Sequence, residues 1–297
     1  MKVSPLATCL RLLCDRKLWA LLLPILLASG AAAEAERDPD APEFVRIKKD
    51  GDDKPISLQT AIARYTSTED KNLRIDLIGA VHIAEDAYYQ ELNKRFRAYD
   101  AVMYELVAPE GTRVPKGGQG TGSAVSGLQH SMKDVLELEF QLEKVDYSPE
   151  NFVHADMTPE EFAQDMEERG DSFLHILARA MGQGLVQQSK KEGPNDTAVM
   201  MALFSQDRAK KLRRIFASQI QDMDSQMRAI EGPDGGTLIS QRNAKAFRVM
   251  ANQIQQGSKK IGVFYGAGHL DDMHQRLLND FGMKLESVEY LDAWDLK

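Results

Sequence analysis

The chain has 297 residues, of which 43% are hydrophobic and 28% are charged, with two Cys and a formal net charge of −8. This composition is ordinary for a soluble globular protein and excludes collagen-like, low-complexity and disulfide-stapled chains. Because 45 Asp and Glu outnumber 37 Lys and Arg, a general nucleic-acid binder, which needs a basic surface, is not expected.

The first 33 residues have the pattern of a secretory signal peptide. A basic segment, residues 2–17, precedes an apolar run over residues 18–28, and the small residues Ala31-Ala-Ala33 follow. The uncharged stretch is short for a membrane-spanning helix, so we expect cleavage after Ala33 and export to the periplasm or the extracellular space. An uncleaved N-terminal membrane anchor is the alternative, and only that alternative implies membrane association.

Cleavage would change the chemistry open to the protein. Cys9 and Cys14 both lie in the leader, so the mature chain would hold no disulfide, thiol nucleophile or Cys-ligated metal. The leader carries four basic residues and one acidic residue, so its removal shifts the formal charge from −8 to −11.

The next elements predict a strand-helix-strand unit. Residues 34–56 are charged and contain Pro, which favours a flexible entry with one short strand at residues 44–47. A single α/β domain is expected over residues 57–297. Within it, residues 73–82 and 101–107 have the apolar, β-branched character of buried strands, and residues 84–99 have helical spacing. Parallel strands with a crossover helix follow from that order.

The same order returns near the C-terminus, with a strand at residues 260–269, a helix at 271–281 and a strand at 284–291. The predicted fold class is therefore α/β, with a central, mainly parallel sheet built from two related halves. A long helical insertion, about residues 125–255, separates them. It includes a capped helix start at Thr158-Pro-Glu-Glu161 and a basic run, residues 210–214, that we interpret as a solvated face.

Two similar motifs end the first strand of each half. Gly79-Ala-Val-His82 and Gly266-Ala-Gly-His269 occupy corresponding positions, 187 residues apart. Ligands of parallel α/β sheets bind beyond the carboxyl ends of the strands. If the halves pack side by side, His82 and His269 therefore converge there.

Glu105 is a third candidate, because a carboxylate in the apolar strand Val102-Met-Tyr-Glu-Leu106 is costly to bury unpaired. Two His and one carboxylate form a reasonable divalent-metal set. The alternative is that Glu105 forms a structural salt bridge with an Arg. Arg242 is a candidate oxyanion or carboxylate ligand and Asn243 a candidate orienting group. His154 and Asp156, which precede the capped helix, are weaker candidates.

These motifs, in this order, resemble those of the TraB/PrgY/GumN family: Ile78-Gly-Ala-Val-His82, Tyr104-Glu105, Arg242-Asn243 and Tyr265-Gly-Ala-Gly-His269. The family is related to the Tiki metalloproteases and, more distantly, to erythromycin-esterase-like and ChaN-like proteins. The resemblance, over roughly residues 57–292, implies an α/β core with a two-half site. In the Tiki branch it implies a divalent-metal-dependent peptidase.

Three functions follow from these residues. The first is an exported metal-dependent hydrolase of peptides or small molecules, in which His82, His269 and Glu105 hold Mn, Co or Zn. Glu105, Arg242 and Asn243 then serve as catalytic residues. The second is a metal-free, esterase-like hydrolase with a His general base. The third is a protein without enzymatic activity that binds a peptide or haem.

Overall fold

The computed structural model describes residues 41–112, 114–115, 135–170, 201–202, 204–231 and 235–297, with the backbone alone described for 221–231. In chain order the strands are β1 (Val45–Lys49), β2 (Pro55–Ser67), β3 (Arg74–Ala80), β4 (Ile83–Ala84), β5 (Ala101–Tyr104), β6 (Glu139–Phe140), β7 (Phe152–His154), β8 (Lys260–Gly266) and β9 (Met283–Asp295). The helices are α1 (Asp86–Phe96), α2 (Gln141–Lys144), α3 (Pro159–Glu168), α4 (Arg208–Glu231), α5 (Arg242–Gln255) and α6 (Leu270–Asn279).

Four parallel strands form the centre of the main sheet, in the order β3, β8, β5 and β7. The strands β3, β5 and β8 are buried along most of their length. Parallel strands covered on both faces have continuous apolar sequences, which explains why these segments were predictable.

The strand β2 joins this core to the remaining long strands by antiparallel pairing. Thr60 pairs with Val45 of β1 and with Leu291 of β9, while Ile62 pairs with Ile78 of β3 and Glu289 of β9. The strands β1 and β3 therefore share one edge of β2, and β9 occupies the other. Because β2 alone runs antiparallel to its neighbours, the other six of the seven strands run in one direction.

The predicted α/β class with a mainly parallel sheet is confirmed, and the first strands of the two halves are direct neighbours. Their second strands diverge: β5 pairs with β8, whereas β9 pairs with β2. The two units therefore interleave instead of forming separate halves.

The structure differs from the sequence prediction at the entry segment and in the insertion. The short strand expected at residues 44–47 is present as β1 (Val45–Lys49), but β2 already begins at Pro55, inside the segment expected to be a flexible entry. The described part of the insertion contains α3, with the predicted capping box between Thr158 and Glu161, and also the strands β6 and β7. The strand β7 extends the main sheet beside β5, so this region is more than a helical addition.

All described residues belong to one compact unit. None of the described helices is long and apolar enough to cross a membrane. The leader, residues 1–33, lies outside the described residues.

Candidate active site

Three neighbouring parallel strands deliver polar residues to one edge of the sheet. Glu105 directly follows β5, Asp156 lies two residues beyond β7, and His269 ends a 3-10 turn, Ala267–His269, that follows β8. Arg242 and Asn243, the first residues of α5, are in hydrogen-bond contact with these groups. The cluster lies where α/β proteins bind ligands, beyond the carboxyl ends of the strands.

Glu105 is held at both carboxylate oxygens. Oε1 accepts a hydrogen bond from Nη2 of Arg242 at 2.6 Å, and Oε2 accepts the backbone N–H of Gly266 at 2.7 Å. A Cβ atom on residue 266 would lie 3.0 Å from Oε2. A side chain at residue 266 would therefore crowd this carboxylate, which approaches the backbone of β8 closely.

Arg242 is the cation at the centre of the cluster. Its Nε and Nη2 bind the two oxygens of Asp156 at 2.9 and 2.6 Å, as a planar guanidinium binds a carboxylate. Its Nη1 lies 3.3 Å from both the carbonyl oxygen of Leu238 and Nε2 of His269. These two contacts are the longest that Arg242 makes. A substrate oxygen therefore most easily replaces the partners of Nη1.

His269 is buried, at 4% exposure, and is oriented by Asn243. Its Nδ1 lies 2.7 Å from Oδ1 of Asn243, and its Nε2 lies 3.4 Å from Oε1 of Glu105. Since the amide oxygen accepts, Nδ1 carries a hydrogen. A neutral His269 then directs its Nε2 lone pair towards Arg242, and a protonated His269 directs Nε2–H towards Glu105.

The electrostatics of the cluster favour ionised side chains. Burial alone would raise the pKa of Glu105, but the hydrogen bond and charge of His269, the charge of Arg242 and the Gly266 N–H hold this pKa well below its ordinary value of 4.5. Burial would lower the pKa of Arg242, but Asp156 and Glu105 outweigh it and raise this pKa. Two carboxylates against one guanidinium leave one excess negative charge among these three side chains.

His82 lies apart from these contacts. Its side chain is exposed, and its Nδ1 contacts Oε1 of Gln141 at 3.3 Å. The two glycine motifs also differ: a Cβ atom on residue 79 would meet backbone oxygens of Ala61 and Phe44 at 3.3 and 3.4 Å, whereas Gly266 makes room for Glu105. Among the five residues predicted for the site, the structure joins Glu105, Arg242, Asn243 and His269 directly.

The predicted metal set, His82, His269 and Glu105, does not fit a divalent ion in this arrangement. Both oxygens of Glu105 are bound by Arg242 and Gly266, and a second N–H donor group of Arg242 faces Nε2 of His269. Within the described ranges, no group of three or more His, Cys, Asp or Glu is placed to hold a metal. The Arg242 guanidinium provides the positive charge beside Glu105 and His269.

Asp156 was only a weak candidate in the sequence, yet its carboxylate is completely buried against Arg242. The sequence contains a signal for it, since Asp156 lies between the apolar Phe152-Val-His and the capped helix, but a three-residue strand is too short to identify by periodicity. The second weak candidate, His154, is engaged elsewhere: its Nε2 contacts the carbonyl oxygen of Leu106 at 2.6 Å.

Comparisons of the chain with protein-family models, with curated proteins and with solved structures give no match. The resemblance to the TraB/PrgY/GumN family therefore stays a prediction that rests on the motifs themselves.

Proposed function

We propose that the protein is a hydrolase in which His269 activates water beside Glu105 and Arg242. The observation that carries this proposal is the position of the His269 ring, with Nδ1 on Asn243 and Nε2 facing Glu105 Oε1 at 3.4 Å. General-base catalysis needs a base of this kind, oriented by one partner and placed beside a group that stabilises its protonated form.

The reaction follows from these positions. Nε2 of His269 takes a proton from water while the water oxygen bonds to the substrate carbonyl carbon and the C=O electron pair moves onto oxygen. Nη1 of Arg242 stabilises that oxyanion, and Glu105 stabilises the protonated His269. When the intermediate collapses, the leaving group departs with the proton from Nε2, which restores the neutral imidazole.

Esters and amides, including peptides, are the substrate class that this chemistry serves. The motif resemblance supports peptides or other acyl compounds, because it connects the chain to both peptidase and esterase branches.

We propose in addition that the protein is exported after removal of residues 1–33, which mass measurement of the mature chain tests. The arrangement gives less support to haem binding through His82 and His269, because the exposed His82 contacts Gln141, apart from the cluster that holds the buried His269.

The metal-dependent version of the same hydrolase remains a second proposal. It is supported by the orientation of His269, because metal-binding histidines are also held through their second nitrogen. It requires that Arg242 release Glu105 and that His82 serve as a metal ligand. Manganese, cobalt and zinc are the ions to test.

The experiment is hydrolysis of a panel of nitrophenyl esters and fluorogenic peptides by the wild type, before and after treatment with a chelator, and by His82→Gln. We expect turnover that survives chelation and changes less than about tenfold in His82→Gln. Loss of activity in both cases, together with one bound metal ion per chain, would favour the metal-dependent version. No turnover of any panel member by folded protein would count against a hydrolase.

A further inference from the structure

Asp272 lies on the first turn of α6 and touches neither Glu105 nor Arg242 among its described contacts. We propose that Asp272 is a positioning residue that fixes the tautomer of His269 by controlling the amide of Asn243. The effect on catalysis rests on the proposed function, whereas the effect on the tautomer does not.

The hydrogen bonds of Asn243 determine which end of its amide faces His269. Nδ2 of Asn243 donates to the backbone carbonyl of His269 at 2.9 Å and to Oδ2 of Asp272 at 2.8 Å. Both partners are acceptors, so this end of the amide must be the NH2 group. Oδ1 is left to face Nδ1 of His269, at 2.7 Å.

The Asn243 amide in turn determines which ring nitrogen of His269 carries the hydrogen. An amide oxygen accepts a hydrogen bond but cannot donate one, so Nδ1 of His269 must carry the hydrogen. Nε2 of the neutral ring then directs its lone pair to the side of Glu105 and Arg242, where Nη1 of Arg242 lies 3.3 Å away. A flipped amide would instead donate to Nδ1 and leave the hydrogen on Nε2, where it would block both proton uptake and metal ligation.

Asp272 opposes a flip of the Asn243 amide. The carbonyl of His269 is a single neutral acceptor, whereas Asp272 adds a charged one. Arg276 fixes that carboxylate, with Nε on Oδ2 at 2.6 Å and Nη2 on Oδ1 at 3.3 Å, and Nη2 also binds the carbonyl oxygen of Ser240 at 3.1 Å. Asn243 itself is completely buried, so solvent does not supply alternative partners. Arg276 therefore holds the Asp272 carboxylate, Asp272 holds the Asn243 amide, and this amide orients the ring of His269.

The experiment is NMR of the ring nitrogens in protein labelled with 15N-histidine, at a pH where His269 is neutral, with His269→Gln identifying its signals. In the wild type we expect Nδ1 to be the protonated nitrogen. In Asp272→Ala we expect the Nε2–H tautomer to become populated, and kcat to fall by about 10- to 100-fold, as for other groups that orient an active-site histidine. KM is expected to change less than kcat.

The matched control is Asp271→Asn, which removes a charge from the same helical turn and should leave the tautomer unchanged. Should Asp272→Ala fail to fold, Arg276→Met loosens the same carboxylate and should shift the tautomer in the same direction. An unchanged Nδ1–H tautomer in the folded variant overturns the proposal. A tautomer shift in a protein that hydrolyses nothing upholds the proposal and counts against the hydrolase.

Discussion

Arg242 binds Glu105 through an Nη2–Oε1 contact of 2.6 Å, across 137 residues of sequence, and its guanidinium also binds both oxygens of Asp156. One cation therefore neutralises two carboxylates that come from adjacent strands, β5 and β7. The Arg242–Glu105 contact joins α5 to the sheet edge, so one ion pair of the site also holds the insertion against the core.

Asp156→Ala should destabilise the protein by about 3–5 kcal/mol, because it leaves a largely buried guanidinium with one of its two carboxylates. The free energy of unfolding, measured by urea denaturation, checks this value. Asp52→Ala is the control: its carboxylate is 78% exposed and pairs with Lys54, so its removal should cost less than about 0.5 kcal/mol. Equal stability of the two variants would show that the Asp156 carboxylate is not needed to stabilise the buried guanidinium of Arg242.

Gly266→Ala should lower both stability and kcat. Its Cβ atom would lie 3.0 Å from Oε2 of Glu105, which Arg242 prevents from moving freely. Gly262→Ala, on the same strand, crowds Ile78 and Tyr99 at 3.1 and 3.3 Å instead. We expect both variants to lose about 1–3 kcal/mol, and only Gly266→Ala to lose more than about tenfold in kcat. A similar kcat in both variants would contradict the role given to Glu105.

Stability should depend on pH through Glu105. Folding lowers the pKa of this carboxyl below its ordinary value of 4.5, so its contribution is fully present above that pH and is lost as pH falls through the lower folded-state value. The free energy of unfolding of the wild type should therefore exceed that of Glu105→Gln by about 2 kcal/mol at pH 6, and this difference should shrink below pH 4.5. Denaturation curves of both proteins over this range measure the difference. A constant difference down to pH 3 would contradict the assignment.

Arg213 tests the sequence interpretation of residues 210–214 as a solvated face. It is buried and donates to the carbonyl oxygens of Leu136 and Glu137 at 2.7 and 2.8 Å, and to Oε1 of Glu85 at 2.6 Å. That part of the interpretation is wrong, whereas Lys211 is exposed as expected. Arg213→Met should cost about 2 kcal/mol and Lys211→Met about 0.5 kcal/mol or less, both by urea denaturation. Identical midpoints would contradict an anchoring role.

The parallel core was predictable because its strands are buried on both faces, so that apolar content alone identifies β3, β5 and β8. The strand β2 was not predicted, although it is 13 residues long. Its buried residues include Ser57 and Gln59, whose side chains both donate to Asp292 of β9 at 2.7 Å. Partners 235 and 233 residues away cannot be read from local periodicity.

The site was predictable where a residue type conflicts with its local setting. Glu105 in an apolar strand and His269 after a glycine-ended strand are such cases, and the structure places them together. The similarity of the two glycine motifs did not predict that His82 is exposed while His269 is buried, because the difference arises from how β3 and β8 are flanked. Asp272, on a helix whose first turn favours acidic residues, has no distinguishing signal in the sequence.

His269 is tested most directly as the general base by the ratio of kcat/KM for His269→Gln to that of the wild type, with both proteins treated with a chelator and assayed on the best substrate of the panel. We predict a ratio of about 0.01 or less, with unchanged secondary structure, because loss of a general base costs about 10²- to 10⁴-fold. A ratio near one in the folded variant would contradict the assignment of His269 as the base.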